Sequence, residues 1–156
     1  MDRLPGRGGS SPGKALNKPI IIFTSTIMHI NHLAIYTEDL EGMRQFYETY
    51  FQGKAGDLYH NPKKKFTSYF LSFDSGSRLE LMHKDVVTSL STESAQEYIG
   101  ITHFAISVGS AEKVNELTEQ LRKDGYTVIG EPRTTGDGYY ESVVLDPEGN
   151  RVEITI

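Results

Sequence analysis

The sequence predicts an α+β fold built from two tandem βαβββ modules. Three observations lead to this prediction. A strand pattern with one histidine occurs twice, at residues 31–36 and 102–108, and an amphipathic helical pattern follows each copy. Three further strand patterns follow each helix, so the order of elements repeats. Each copy ends in a strand with one glutamate, in Leu79-Glu80-Leu81 and in Val152-Glu153-Ile154.

Length and composition restrict the class of protein. A chain of 156 residues is long enough for one domain with a proper core. The net charge of −5 and the pI of about 5.5 argue against nucleic acid or an anionic membrane as partner. Cysteine is absent, which excludes disulfides, thiolate metal sites and a cysteine nucleophile, and suits a cytoplasmic location. No stretch approaches the roughly 20 apolar residues of a membrane helix.

The first 27 residues differ from the rest of the chain. Met1–Lys18 is rich in Gly, Pro, Ser, Arg and Lys, and residues 19–27 are mostly apolar. We interpret residues 1–27 as a leader or an expression-derived extension, expected to be flexible, although the Ile-rich piece can still add an edge strand. Residues 28–156 then form one domain, with module 1 at about 28–83 and module 2 at about 100–156.

Module 1 begins with the alternating strand Met28–Tyr36. Thr37-Glu38-Asp39 supplies the N-cap chemistry for a helix. The helix is followed by a short strand near Asp57–Tyr59 and a loop through His60–Lys65. Two more strands, Thr67–Phe73 and Arg78–Met82, flank a hairpin turn. The apolar stripe of the helix consists of Leu40, Met43, Phe46, Tyr47 and Tyr50.

Module 2 repeats this order after a linker that lacks strong periodicity, in which a helical turn is expected around Glu93–Tyr98. Its first strand contains His103, and Ser110 caps the following helix, which Asp124-Gly125 ends. The remaining strands are predicted at Tyr126–Arg133, Tyr139–Leu145 and Arg151–Ile156.

Four side chains in register point to a metal site. Glu80 follows His32 by 48 residues, and Glu153 follows His103 by 50. The apolar alternates of their strands must face the helices, so these four groups face the opposite, concave side. Two partly desolvated carboxylates there would repel each other, and a divalent cation removes that cost. Neutral imidazole and carboxylate suit Zn, Ni, Co, Mn or Fe, and two waters would complete an octahedral N2O4 shell. His29, His60 and His83 have no counterpart in this repeated register, and we assign them to the surface.

Four segments of the sequence form a recognisable pattern: His-Leu-Ala-Ile-Tyr at 32–36, Arg-Leu-Glu-Leu at 78–81, His-Phe-Ala-Ile-Ser-Val at 103–108 and Leu-Asp-Pro-Glu-Gly-Asn-Arg-Val-Glu-Ile at 145–154. This pattern resembles the vicinal oxygen chelate superfamily (glyoxalase/bleomycin resistance/dioxygenase), and within it the glyoxalase I-like proteins. The resemblance covers about residues 28–156. It implies curled mixed sheets around a metal cleft, with His32, Glu80, His103 and Glu153 as the metal ligands.

The resemblance implies a lactoylglutathione lyase-like metalloenzyme, a carbon–sulfur lyase that moves a proton on a hemithioacetal or related α-hydroxycarbonyl through an enediolate. Glu153 or Glu80 would be the base, with Glu153 favoured, and glutathione or another thiol would be a co-substrate. A methylmalonyl-CoA epimerase-like isomerase and a non-catalytic small-molecule binding or resistance protein are the alternatives. Epimerases commonly carry Gln where Glu80 stands, and bleomycin-binding members hold no metal. Fosfomycin-modifying members do without a glutamate at position 80, and ring-cleaving dioxygenases are usually twice as long.

Cleft-facing alternates of neighbouring strands are expected to shape a pocket for a small-molecule substrate. Arg133 and the loop Thr134–Tyr139 are expected to bind a substrate tail or to act as a lid. A homodimer is expected because the sheets leave edges and apolar faces to cover. The sequence is compatible with two arrangements, a metal site within one chain and a metal site shared by two. The pocket positions are Phe70, Ser72, Met82, Ser107, Tyr140, Ser142 and Val144.

Overall fold

A computed structural model of the chain describes residues 29–74, 76–87 and 100–156. The extension expected at residues 1–27 and the helical turn expected near residues 93–98 therefore lie outside the described residues. Among the residues that are described, none belongs to a helix with the length and apolar character needed to cross a membrane.

The first unit of the fold is a mixed sheet covered by one helix. Its sheet has the order β1-β5-β4-β2, and β3 also pairs with β4. Strands β1 and β5 are parallel, and the other pairs are antiparallel. The elements are β1 His32–Tyr36, α1 Leu40–Phe51, β2 Lys54–Ala55, β3 Tyr59–Asn61, β4 Phe66–Ser72 and β5 Arg78–Lys84.

The second unit repeats this arrangement. Its sheet has the order β6-β9-β8-β7, again with the first pair parallel and the others antiparallel. The α+β class is thereby confirmed, and the order of elements is duplicated apart from β3, an additional strand of the first unit. The elements are β6 Phe104–Ser107, α2 Ala111–Lys123, β7 Val128–Thr134, β8 Tyr140–Leu145 and β9 Arg151–Thr155.

Both helices begin where the sequence predicts. The side chain of Asp39 accepts a hydrogen bond from the backbone N–H of Gly42, 2.9 Å away, at the start of α1. The side chain of Ser110 accepts one from the N–H of Lys113, 3.3 Å away, at the start of α2. These bonds satisfy backbone donors that have no partner within the helix.

The two sheets repeat the same register around the predicted ligands. Glu80 lies beside Ala34 across the β1–β5 pair, and Glu153 lies beside Ala105 across the β6–β9 pair. In each unit the histidine precedes that alanine by two residues, so it shares a sheet face with the glutamate. The alternates of the two glutamate strands pack in the core and are at most 3% exposed: Leu79, Leu81, Val152 and Ile154. The predicted separation of an apolar face from a ligand face is confirmed in these strands.

Helix α1 joins the two units. Its Tyr47 hydroxyl donates to Asp146 Oδ2 of the second unit at 2.7 Å, and the Phe46 ring packs on Tyr126 with centroids 4.9 Å apart. Before the helix starts, the backbone N–H of Asp39 donates to Glu148 Oε1 at 2.7 Å. Because these contacts combine core packing with hydrogen bonds, they fix one unit against the other.

The first unit differs from the prediction between α1 and β4. The strand expected near Asp57–Tyr59 is replaced by β2 at Lys54–Ala55 and by β3, part of which falls in the expected loop. The Tyr59 ring packs against Phe66 across the β3–β4 pair, with centroids 6.1 Å apart. This aromatic contact favours a hairpin where the polar sequence suggested a loop.

Candidate metal centre

His32 and Glu80 form the first half of the candidate centre. His32 Nε2 lies 3.8 Å from Glu80 Oε2, and the two side chains are 40% and 14% exposed. The rings of His32 and Phe70 are nearly perpendicular, with centroids 5.3 Å apart. Phe70 also pairs with Glu80 across the β4–β5 ladder, so its ring forms an apolar wall beside both groups. We call His32 and Glu80 half-site 1.

His103 and Glu153 form the second half, which we call half-site 2. His103 Nε2 lies 3.2 Å from Glu153 Oε2, and the side chains are 46% and 15% exposed. His103 precedes β6 by one residue, whereas Glu153 is at the middle of β9. Each half-site therefore presents one imidazole nitrogen close to one half-buried carboxylate.

Glu153 lies among other ionisable groups. Burial raises the pKa of the Glu153 carboxyl, the neighbouring Glu141 and Asp137 raise it further, and His103 lowers it. Arg133 Nη2 is 3.6 Å from Glu141 Oε1. Because the ionised carboxylates of Glu141 and Glu153 repel each other, this cluster favours a bound proton or cation.

Strand β8 faces the opposite way from the prediction. The Ser142 hydroxyl is fully buried and lies 2.6 Å from the Thr118 hydroxyl of α2. The Tyr140 hydroxyl donates to Asn115 Oδ1 of the same helix at 2.8 Å, and Val144 is fully buried in the core. Their assignment to the pocket is therefore wrong, because Thr118 gives Ser142 a polar partner under the helix.

The sequence analysis consequently missed Glu141. Glu141 is 9% exposed and belongs to the β8 alternates on the Glu153 side, since Val143 pairs with Glu153 across the β8–β9 ladder. One signal could have found it. The predicted orientation would have turned the Glu141 carboxylate toward the apolar side of α2, where a buried unpaired charge costs several kcal/mol.

The other predicted pocket residues are distributed over both units. Met82 is half-buried on the Glu80 face of β5, and Ser107 is exposed at the end of β6. Ser72 is exposed and donates to the backbone oxygen of Lys54 at 3.3 Å, at the edge of the sheet. Arg133 is engaged with Glu141 rather than free.

The remaining histidines are placed as expected, with one exception. His29 and His60 are exposed. His83, however, is half-buried, and its Nδ1 lies 2.9 Å from the backbone oxygen of Thr37. This contact ties the end of β5 to the start of α1, so the surface assignment is incomplete for His83.

The two half-sites do not join within one chain. Across residues 29–74, 76–87 and 100–156, no three His, Asp or Glu side chains are grouped so that they could share a metal ion. Each pair nevertheless offers the nitrogen and oxygen donors that transition metals accept. Because catalytic zinc sites use three protein ligands, one half-site alone is incomplete.

An open groove with a volume of about 1110 Å³ runs between the two units. Arg78 and Phe73 contribute to one wall, and His103 and Phe104 contribute to the other. A volume of this size can accept a small molecule. His103 of half-site 2 therefore borders a space large enough for a small-molecule substrate.

Comparison with known proteins identifies the family. The sequence model of the Glyoxalase/Bleomycin resistance protein/Dioxygenase superfamily matches residues 29–154. The uncharacterized protein YqjT of Bacillus subtilis (strain 168) is 26% identical over 128 residues, which cover 80% of this chain and 96% of that protein.

Solved structures share the fold. A glyoxalase family protein from Enterococcus faecalis has a TM-score of 0.66 and 22% identity, covering 82% of this chain and 97% of that one. The trypanothione-dependent glyoxalase I of Leishmania major has a TM-score of 0.65 and 27% identity, covering 83% and 86%. The duplicated fold, its paired histidines and glutamates and the match over residues 29–154 lead to one conclusion: the chain belongs to the Glyoxalase/Bleomycin resistance protein/Dioxygenase superfamily.

Proposed function

We propose that this protein is a metal-dependent lyase or isomerase of the glyoxalase I type, which transfers a proton on a hemithioacetal or related α-hydroxycarbonyl substrate. The observation that carries the proposal is the repeated histidine–glutamate pair, one on each sheet, with nitrogen–oxygen distances of 3.8 and 3.2 Å. The similarity to the Leishmania major glyoxalase I supports the class of reaction.

His32, Glu80, His103 and Glu153 would hold one divalent ion of Zn, Ni, Co, Mn or Fe. The donor set fits such an ion, because both carboxylates are half-buried and both have an imidazole beside them. When bound, the metal polarises the substrate carbonyl and acidifies the adjacent C–H. The remaining steps belong to the side chains of the protein.

Glu153 is the proposed base. It removes the proton from the carbon next to the carbonyl and returns it to the neighbouring carbon. Burial and the adjacent Glu141 raise the pKa of Glu153, which brings the carboxyl closer to the range where one group can both accept and donate a proton. Glu80 remains the alternative base.

We further propose that two copies of the chain complete each site, half-site 1 coming from one copy and half-site 2 from the other. Among the described residues, strands β1 and β6 each lie at the edge of their sheet and pair with a single neighbour. Close to half-site 1, Ile30 is 74% exposed and Tyr36 is 46% exposed. A second copy would cover these edges and apolar groups. The proposal also includes a homodimer of one domain, residues 28–156, in the cytoplasm. Nucleic acids and membranes are not among its proposed partners.

The first test is the metal content of the protein purified without chelator. We expect about one transition metal per chain, as one four-ligand site per chain requires. His103→Ala and Glu153→Gln should abolish metal retention, whereas His60→Ala, which changes an exposed histidine, should not. A wild-type protein that holds no metal after incubation with Zn, Ni, Co, Mn or Fe would contradict the proposal.

The second test concerns the substrate. The metal-loaded protein is incubated with methylglyoxal and either glutathione or another thiol, and thioester formation is followed. We expect thioester with at least one thiol, and its dependence on the thiol identifies the co-substrate. Epimerisation of a CoA thioester without thioester formation would support the epimerase alternative. Tight ligand binding without turnover would support a binding protein.

A further inference from the structure

We propose that Asn31 and Arg78 are positioning residues that set the tautomer of His32, so that its Nε2 keeps a free lone pair toward the metal. This inference rests on the proposed function, which supplies the metal ion that His32 would bind. The tautomer itself is a property of the chain and can be measured without metal.

The first step identifies the atom that Asn31 presents. Arg78 Nη2 lies 2.8 Å from the side-chain oxygen of Asn31. A guanidinium group has only donors, so the amide atom that faces it must be the oxygen and not the nitrogen. Arg78 therefore removes the ambiguity between oxygen and nitrogen that an asparagine side chain otherwise has.

The second step determines which ring nitrogen of His32 carries the hydrogen. The same oxygen of Asn31 lies 3.0 Å from His32 Nδ1. Because this oxygen can only accept, Nδ1 must carry the hydrogen, and the lone pair of the neutral ring is on Nε2. Nε2 is the atom that lies 3.8 Å from Glu80 Oε2. The nitrogen on the ligand side is thereby the one able to bind a cation.

The third step concerns the rigidity of this arrangement. The Arg78 guanidinium lies over the Phe70 ring, 4.3 Å from its centroid, and the same ring packs nearly perpendicular to the His32 ring. The backbone N–H of Arg78 donates to the backbone oxygen of Asn31 at 3.0 Å. Backbone pairing, a cation–π contact and side-chain hydrogen bonds therefore hold the three polar groups together.

The second unit offers an internal comparison. Thr102 precedes His103 where Asn31 precedes His32. A threonine hydroxyl can both donate and accept, so it cannot impose a tautomer as the oriented amide oxygen does. The proposed control of the tautomer is therefore a feature of half-site 1 alone.

Nitrogen-15 NMR of the imidazole rings in the metal-free protein tests the tautomer directly, because the ring nitrogen that carries the hydrogen and the one with the lone pair give different signals. We expect His32 to carry its hydrogen on Nδ1. Asn31→Ala should shift His32 toward the Nε2–H form that a solvent-exposed imidazole prefers, and Asn31→Asp, which keeps an acceptor, should restore Nδ1–H. The His103 signals should not change in either variant. An Nε2–H tautomer in the wild type, or no change in Asn31→Ala, would overturn the inference.

Metal titration of the same proteins supplies the second readout. Asn31→Ala should weaken metal binding by about 10- to 100-fold, the usual effect of removing a partner of a metal-binding histidine. Asn31→Asp should bind close to wild type, and Arg78→Met should weaken binding because Asn31 can then rotate. If wild type binds no metal but shows the Nδ1–H tautomer, the proposed function fails and the tautomer assignment survives. If wild type and Asn31→Ala bind equally well, the inference fails and the proposed function survives.

Discussion

Glu153 combines two requirements that oppose each other at the level of a single side chain. A carboxyl must be ionised to bind a cation, yet burial and the neighbouring Glu141 raise the pKa of Glu153 and so penalise the ionised form. A bound metal offsets this penalty, because it supplies the positive charge that the cluster lacks. The free energy of unfolding of the metal-free protein should therefore fall as the pH rises through the pKa of Glu153.

Glu153→Gln should abolish metal retention and slightly stabilise the metal-free fold at neutral pH. A carboxyl with a raised pKa contributes stability that is present at low pH and is lost as the pH rises through that pKa. The advantage of the variant should therefore grow from acidic to neutral pH, to no more than about 1 kcal/mol because solvent reaches the group. Urea denaturation at several pH values measures it. Glu116→Gln, at an exposed position of α2, is the control for loss of a surface charge. A destabilised Glu153→Gln at neutral pH would contradict the account.

Tyr47 and Tyr50 form a matched pair of hydrogen bonds to aspartate, both at 2.7 Å. The Tyr47 bond to Asp146 is buried, and the pKa of Asp146 is raised by burial although four hydrogen bonds, including that from Tyr47, act against the rise. Tyr47→Phe should lower the free energy of unfolding by about 1.5–3 kcal/mol, the range for bonds to charged groups. Tyr50→Phe removes an exposed bond and should cost less than about 1 kcal/mol. Equal losses of unfolding free energy in the two variants would contradict the larger effect expected for the buried Tyr47 bond.

The sequence was sufficient to predict the faces of the four strands that bear His32, Glu80, His103 and Glu153, because their apolar neighbours alternate cleanly. It failed for β8. There, apolar and polar residues are mixed on both faces, and Ser142 is buried only because Thr118 of α2 lies opposite. Such a pairing depends on a residue 24 positions away and has no local signature.

The turn between β8 and β9 forms the second unit's side of the contact with α1. Within it, Asp146 Oδ1 accepts from the backbone N–H groups of Glu148 and Asn150 at 3.1 and 2.8 Å. Gly149 has φ 86°, a value that disfavours residues with a side chain. The turn thereby directs Glu148 toward the N-terminus of α1. The Asp-Pro-Glu-Gly-Asn segment therefore serves the contact between units, and no residue in it belongs to either half-site.

Glu148→Gln should weaken the contact between the units. The Glu148 carboxylate accepts from the backbone N–H groups of Glu38 and Asp39 at 2.7–3.1 Å and from the Thr37 hydroxyl. A negative charge at a helix N-terminus is favourable, and its removal should cost about 1 kcal/mol. Thermal unfolding measures the loss. Glu112→Gln, in the exposed first turn of α2, should change stability less; an equal change would indicate a general charge effect.

At the level of elements, the helix starts and the repeat could be predicted because capping residues and periodicity are local signals. The β3 strand and the capping of α1 by Glu148 could not, because both depend on partners distant in the sequence. Glu148 lies 109 positions from Asp39 along the chain. Only the folded arrangement of the two units shows why a glutamate occupies that turn.

For the whole molecule, the duplication gives two half-sites of equal chemistry rather than one closed site. The sequence predicts four ligands, but strand alternation fixes only the face on which each lies. It does not specify whether the two faces meet within one chain or between two. The described part of the chain holds no three-ligand group, and its edge strands β1 and β6 each lack a second neighbour. This is why we propose that a second copy supplies the other half of each site.

Complementation between two variants tests this claim most directly. His32→Ala and His103→Ala are each expected to retain no metal as homodimers. In a mixed dimer, one site combines both defects and the other combines intact halves from the two chains. After joint refolding, elemental analysis should therefore show about a quarter of the wild-type metal, because random pairing makes about half of the dimers mixed. No metal in the mixture, from variants that fold and pair while wild type holds about one ion per chain, would contradict a site shared between copies.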